Sequence, residues 1–335
     1  MQRWKVRPEG SNWGDFGPDD QCGRMNLLTP ERRRAAAREV KEGIAFCLSL
    51  PLDYPGPEFG LGRKPPHLFC PDDVHGHNYN ATHDDGFMAQ TDVVCDDAVT
   101  ISTQYSTQWD SLAHWGKRFD ADDDGVAEIV YYNGYRGGTD LIGPDQPGGP
   151  YAHSLGIENL AEAAPQGRGV MVDLNALHGL SRVAVGYDEL MRALDRQGVE
   201  VLPGDFLVPY SGVDDVILEA NRQVTREDLM NCPALDGSDS RLLRWIEESG
   251  IAAICSDTVA VEFLAPDVGI HAHGSALPLH DLCLFRLGIH LGELWRLSEL
   301  ARWLRAHNRW SFLLTAPPLR LPGSVGSPAC PIATV

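Results

Sequence analysis

Apolar positions along this chain follow two rhythms, short unbroken runs and stretches spaced for one helical face, and the two alternate. Thr29-Pro30-Glu31 supplies a hydroxyl cap, a proline at the first helical position and an acid in the first turn, which predicts a helix over 32–42 closed by Gly43. The apolar runs at 44–50, 93–105, 128–132, 168–173, 205–211 and 251–255 predict strands, the second with a turn at Asp96-Asp97. Helical spacing at 188–197 and 238–249 ends at Gly198 and Gly250, and further helices are expected over 280–287 and, capped by Ser298, over 299–307. From 51 to about 85 the chain is rich in Pro, Gly and His without any period, a long loop of the kind that covers a pocket.

Such alternation predicts an α/β protein. No repeat, low-complexity segment or linker-like break divides it, so an N-terminal arm and helix over 1–45 and a single catalytic domain over 46–335 are expected.

Composition narrows the function. With 335 residues and 43% hydrophobic content the chain can bury a proper core. A formal net charge of −19, from 28 Lys+Arg against 47 Asp+Glu, argues against nucleic acid and against anionic membrane surfaces as partners. The N-terminus lacks an apolar signal region and no long apolar run occurs, which makes the cytoplasm the expected location. The 8 cysteines form no C-x-x-C pair, so neither a zinc ribbon nor a dithiol centre is indicated, and mostly buried, reduced thiols are expected. P-loop, G-x-G-x-x-G and G-x-S-x-G patterns are also missing, which removes phosphate cradles and the serine-hydrolase elbow.

The densest chemistry lies in Gln104-x3-Gln108-x-Asp110-x3-His114, where amides, a carboxylate and an imidazole punctuate otherwise small and apolar residues. On a strand end or tight turn these groups can converge, and a strand that only packs has no use for them. Trp109 and Trp115 flank the cluster as candidate pocket walls. Taken singly, each residue is more simply a turn or core group.

The spacing resembles the H-x-G-T-H-x-D-x3-H signature of the cyclase family, the metal-dependent hydrolases that include kynurenine formamidase and isatin hydrolase. Gln104 and Gln108 stand where the signature has metal-binding histidines, Asp110 where it has a metal-binding aspartate, and His114 at its catalytic histidine. Leu277-Pro-Leu-His280, with Glu293 following, resembles the family's downstream His and Glu, and Pro318 to Pro328 its closing loop. Further echoes lie at Asp20 to Asn26, Pro203-Gly-Asp205 and Ser256-Asp257-Thr258. The resemblance implies a swivelling β/β/α fold with a mixed-sheet or barrel-like core, a small-molecule substrate and a homodimer or larger assembly. It also implies a divalent ion held by Gln108, Asp110, His280 and Glu293, with Gln104 as a further ligand, while His114 carries the proton and Asp110 and Glu293 belong to the catalytic set. Such a site polarises a carbonyl and lowers the pKa of a water. Amide oxygens in place of two imidazoles shift the preference from Zn²⁺ toward a harder ion, Mn²⁺ first.

The function expected on this basis is hydrolysis of an amide, cyclic amide or lactone. The alternatives are a metal-independent cyclase or dehydratase acting on a natural-product intermediate, with the glutamine amides as oxyanion donors, and a catalytically inactive small-molecule binder. His75, His77 and His83 in the long loop, and His271 with His273, are the other imidazole clusters; His77 and His83 are candidate substrate contacts, and either cluster offers a replacement for the lost imidazoles. Asp120-Ala-Asp-Asp-Asp-Gly125 copies half of a calcium loop, but Tyr131 stands where the closing Glu belongs, so a solvated acidic turn is expected there.

Overall fold

The apolar runs come together as the middle of one sheet. The computed structural model describes residues 2–56, 62–73, 76–82, 92–264 and 274–335. Strands β1 (Ala45–Cys47), β2 (Gln108–Asp110), β3 (Gln166–Asp173), β4 (Phe206–Tyr210), β5 (Ala253–Cys255), β6 (His290–Glu293), β7 (Ser311–Thr315), β8 (Gly326–Pro328) and β9 (Ile332–Thr334) form a nine-stranded sheet in the order β1-β9-β7-β3-β4-β5-β6-β2-β8. Neighbours from β3 to β6 are parallel, and both flanks are antiparallel. The parallel centre is covered on both faces, which is why its sequence reads as continuous apolar runs instead of alternation.

Helices α1 (Pro30–Ala37), α2 (Tyr187–Gln197), α3 (Ser240–Ser249) and α4 (Ser298–His307) supply that cover. Leu190 and Leu194 of α2 and Leu242 and Ile246 of α3 pack with Val170, Val172, Leu207, Ile254 and Leu291 on one face. Leu300 and Leu304 of α4 pack with Met171, Phe206, Val208 and Phe312 on the other. Thr29 caps α1 by accepting from Arg32 N at 3.3 Å, as expected, but the helix stops at Ala37. Gly198 and Gly250 end α2 and α3 in the left-handed region, with φ of 63° and 70°.

Three expectations need correction. The stretch 93–105 contributes only Ala98–Thr100 as strand, and the Gln-Asp-His cluster is carried by β2, a strand of its own inside the sheet. Over 280–287 the chain makes a short helix, Pro278–His280, that widens into a π-helical stretch, Asp281–Leu287. Ser298 lies inside α4, not before it, and spends its hydroxyl and its N–H on buried Asp214 at 2.6 and 2.8 Å.

The echoes outside the cluster are structural in this chain. Asp20 accepts from Gly23 N at 2.8 Å, and buried Arg24 donates to the Ile246 and Glu247 carbonyls, tying the arm to α3. Asp205 accepts from Arg168 at 2.8 Å and from Leu202 N at 2.7 Å. Asp257 takes the N–H groups of Ser211, Gly212 and Val213, pinning the end of β4. Cys232, Cys255 and Cys283 are buried, whereas Cys47, Cys95 and Cys330 are exposed, so the thiols are less uniformly internal than expected. No helix among the described residues is long and apolar enough to cross a membrane.

Candidate active site

Register places the polar groups. In antiparallel β2 and β6, Gln108 lies opposite Glu293 and Asp110 opposite Leu291, so Gln108, Asp110 and Glu293 share one face of the sheet. Trp109, between them, must point the other way. It is fully buried, edge-on to Trp295 at 5.2 Å, and donates from Nε1 to the Ala316 carbonyl at 2.7 Å. It is therefore a core residue, not the pocket wall the sequence suggested.

After β2 the chain turns through Ser111, whose carbonyl accepts from His114 N at 3.0 Å, and brings the His114 ring back over Asp110. His114 Nε2 lies 3.9 Å from Asp110 Oδ1. His280 enters from the start of the 278–287 helical stretch, its ring centroid 6.3 Å from that of His114 and 5.2 Å from that of Trp115. Ligand atoms of Asp110, His114 and His280 all fall within 4.8 Å of one another. Two segments distant in sequence, β2 with its turn and the stretch from the Pro278–His280 helix to β6, thus meet at one point.

Hydrogen bonds fix each member. Gln108 Nε2 donates to Glu293 Oε2 at 2.8 Å. Glu262, which sequence reasoning missed, accepts from His280 Nδ1 at 2.7 Å and from the backbone N–H of His280 and Leu279 at 3.0 Å. His280 Nε2 then faces Glu293 Oε1 at 3.5 Å. Gln104 donates from Nε2 to His114 Nδ1 at 2.9 Å and reaches Asp110 Oδ1 at 3.4 Å, while its Oε1 accepts from Thr103 at 3.2 Å. It turns an amide nitrogen, not a ligand oxygen, toward the cluster. Arg63, also missed, donates to the Gln104 carbonyl at 2.7 Å. The signal for Glu262 was a lone carboxylate in the apolar stretch 259–264; no pattern marked Arg63.

Burial is nearly complete. Asp110 is 0% exposed, His280 and Glu293 3% each. Burial and the Asp110 charge push the Glu293 carboxyl up to about 7, against the pull of His280. Burial alone would lower the His280 imidazole, but hydrogen bonds to Glu262 and Glu293 outweigh it and hold it up to about 10. Burial lowers His114 in spite of Asp110. Two buried oxygens, Gln108 Oε1 and Asp110 Oδ2, have no hydrogen-bond partner among the described residues. Leaving such atoms bare costs on the order of 1–3 kcal/mol each, so the donor set fits a divalent cation.

His77 is exposed and paired with Asp72 at 2.5 Å; His75, His83, His271 and His273 lie outside the described residues. Asp120 closes its turn on the N–H groups of Asp124 and Gly125, and the carboxylates of Asp120, Asp122 and Asp124 have oxygens within 4.8 Å of one another. A cavity of about 360 Å³ borders Ala113, next to His114, and is lined by Tyr131, Leu141, Tyr151 and Val325.

A family profile described as a putative cyclase matches residues 46–263. A crystal structure described as a novel cyclase is 33% identical, with a TM-score of 0.76, covering 98% of this chain and 100% of its own. Isatin hydrolase A from Ralstonia solanacearum is 18% identical, with a TM-score of 0.57, covering 91% of this chain and 97% of its own. Isatin hydrolase A from Labrenzia aggregata, bound to benzyl benzoate, is 15% identical, with a TM-score of 0.55 and coverages of 90% and 95%. No curated protein sequence matches the chain.

Proposed function

The chain belongs to the cyclase family, and from that premise we propose that it is a hydrolase that opens an amide, cyclic amide or lactone of a small organic molecule at the Asp110 cluster. The observation that carries this reading is the pair of unpartnered buried oxygens, Gln108 Oε1 and Asp110 Oδ2, beside the converging Asp110, His114 and His280. Gln108, Asp110, His280 and Glu293 would hold a divalent ion, which when bound polarises a carbonyl and acidifies a water. Three oxygen donors and one imidazole favour Mn²⁺ over Zn²⁺.

The chain's own groups do the rest. By taking the Nδ1–H of His280, Glu262 fixes the ring's orientation and leaves Nε2 toward Glu293, the nitrogen that would give up its proton to hold the ion. Gln108 Nε2 keeps the Glu293 carboxylate on the shared face. Trp115 backs His280 and keeps water from that side. Nδ1 of His114 is occupied by Gln104, so it exchanges protons at Nε2, giving one to the leaving nitrogen or oxygen and regaining it from water. The apolar cavity beside Ala113 suits the organic body of such a substrate. A homo-oligomer remains part of this proposal, on the family's precedent.

One observation favours the acid–base cyclase as a second reading. Gln108, Glu293, His280 and Glu262 already form a chain of two hydrogen bonds and one ion pair without an ion, with Glu293 poised at about 7. Chelation separates the two: activity on amides and lactones that disappears with chelator and returns with Mn²⁺ supports the hydrolase, whereas activity indifferent to chelator supports the cyclase.

A further inference from the structure

Gln104 is the residue whose geometry departs furthest from a ligand's. Its Oε1 is engaged by Thr103, and its Nε2 stands 2.9 Å from His114 Nδ1 and 3.4 Å from Asp110 Oδ1. A carboxylate only accepts, so Asp110 fixes the nitrogen on the cluster side of the amide. His114 Nδ1 must then be the acceptor, and a neutral ring carries its proton on Nε2, the atom facing Asp110 at 3.9 Å. We propose that Gln104 is a positioning residue that sets the tautomer of His114, holding the resting ring as Nε2–H, the form that donates a proton from Nε2. An amide N–H serves this state; a carboxylate would serve only an Nδ1–H ring, and an aliphatic side chain neither.

The seat for this amide is built by another residue. Gly326 in β8 lies opposite Asp110, and a Cβ added there would come within 2.7 Å of Gln104 Nε2 and 2.8 Å of its Cδ. The glycine is thus needed for the space it leaves over the sheet beside Asp110. Gly326→Ala displaces the Gln104 amide without altering it chemically.

This inference rests on His114 being the proton carrier proposed above, but its test needs neither substrate nor ion. ¹⁵N shifts of the imidazole nitrogens are read at one pH in the histidine-labelled full chain, with His114 assigned by its loss in His114→Gln. The expected result is an Nε2–H ring in the parent, an Nδ1–H ring in Gln104→Glu, and a mixture of tautomers in Gln104→Leu and Gly326→Ala. An Nδ1–H ring in the parent, or a parent-like ring in Gln104→Glu, would overturn the proposal. Should Gln104→Glu not fold, a parent-like ring in Gly326→Ala overturns it equally. The hydrolase reading fails separately, by the metal content of the parent protein, which the tautomer measurement does not use.

Discussion

At the scale of single residues the site depends on groups that must not be left alone. Glu262 accepts from three donors and is buried with them, so Glu262→Ala strands the His280 ring and two backbone N–H groups at once. Removing one partner of a buried pair costs about 3–5 kcal/mol, and denaturant unfolding should show a loss of that size. A loss under about 1 kcal/mol would mean that water reaches His280. His114 tests chemistry instead: His114→Ala should cut turnover by about 10²–10⁴-fold while metal content stays at the parent level. If the substitution strips the metal, His114 is a ligand, which its place within 4.8 Å of Asp110 and His280 permits. Asp110, His114, His280 and Glu293 were legible in the sequence because their spacing resembles a family signature. Glu262 and Gly326 were not, because each acts on a partner that only the fold brings close.

At the scale of elements, the strand that carries Glu293 also carries a histidine of opposite effect. His290 opens β6, is 1% exposed, and has no hydrogen-bond partner for Nδ1 among the described residues. Burial lowers its imidazole from the ordinary 6.5 to about 3. The unfolded chain therefore takes up this proton first. The stability due to a neutral His290 is fully present above about pH 6.5 and is lost as the pH falls toward 3, by about 1.4 kcal/mol per unit. Unfolding free energies of His290→Leu measured across that window should fall less steeply than the parent's; parallel curves would place the acid sensitivity elsewhere.

Helix ends make a second element-scale prediction. Asp239 accepts from Arg241 N at 2.8 Å at the start of α3 and from Tyr187 N at 2.7 Å at the start of α2. One carboxylate ties two helix starts together, so Asp239→Ala should cost about 2 kcal/mol in thermal or denaturant unfolding, the upper end for a cap; a cost of a few tenths would deny the shared role. Stop signals such as Gly198 and Gly250 were readable because left-handed backbone selects glycine. The boundaries of β2 were not, since three residues give no period and a Gln-Trp-Asp strand becomes buried only through its partners on both sides.

At the scale of the whole molecule, the order β5-β6-β2-β8 converts four separate segments into one surface. The parallel centre was legible as apolar runs, but no property of residues 108–110 announces that they insert between 290–293 and 326–328; that follows from long-range pairing, which local pattern does not encode. The outcome is a buried face on which Gln108, Asp110 and Glu293 converge with His280, and the central claim is that this face holds a divalent ion. Elemental analysis of protein purified without chelator tests it most directly. The account predicts close to one equivalent of a divalent metal, Mn²⁺ in preference to Zn²⁺, sharply reduced in Asp110→Asn and in Glu293→Gln. Less than about a tenth of an equivalent of any transition metal in the parent, with activity unchanged by chelation, would contradict it.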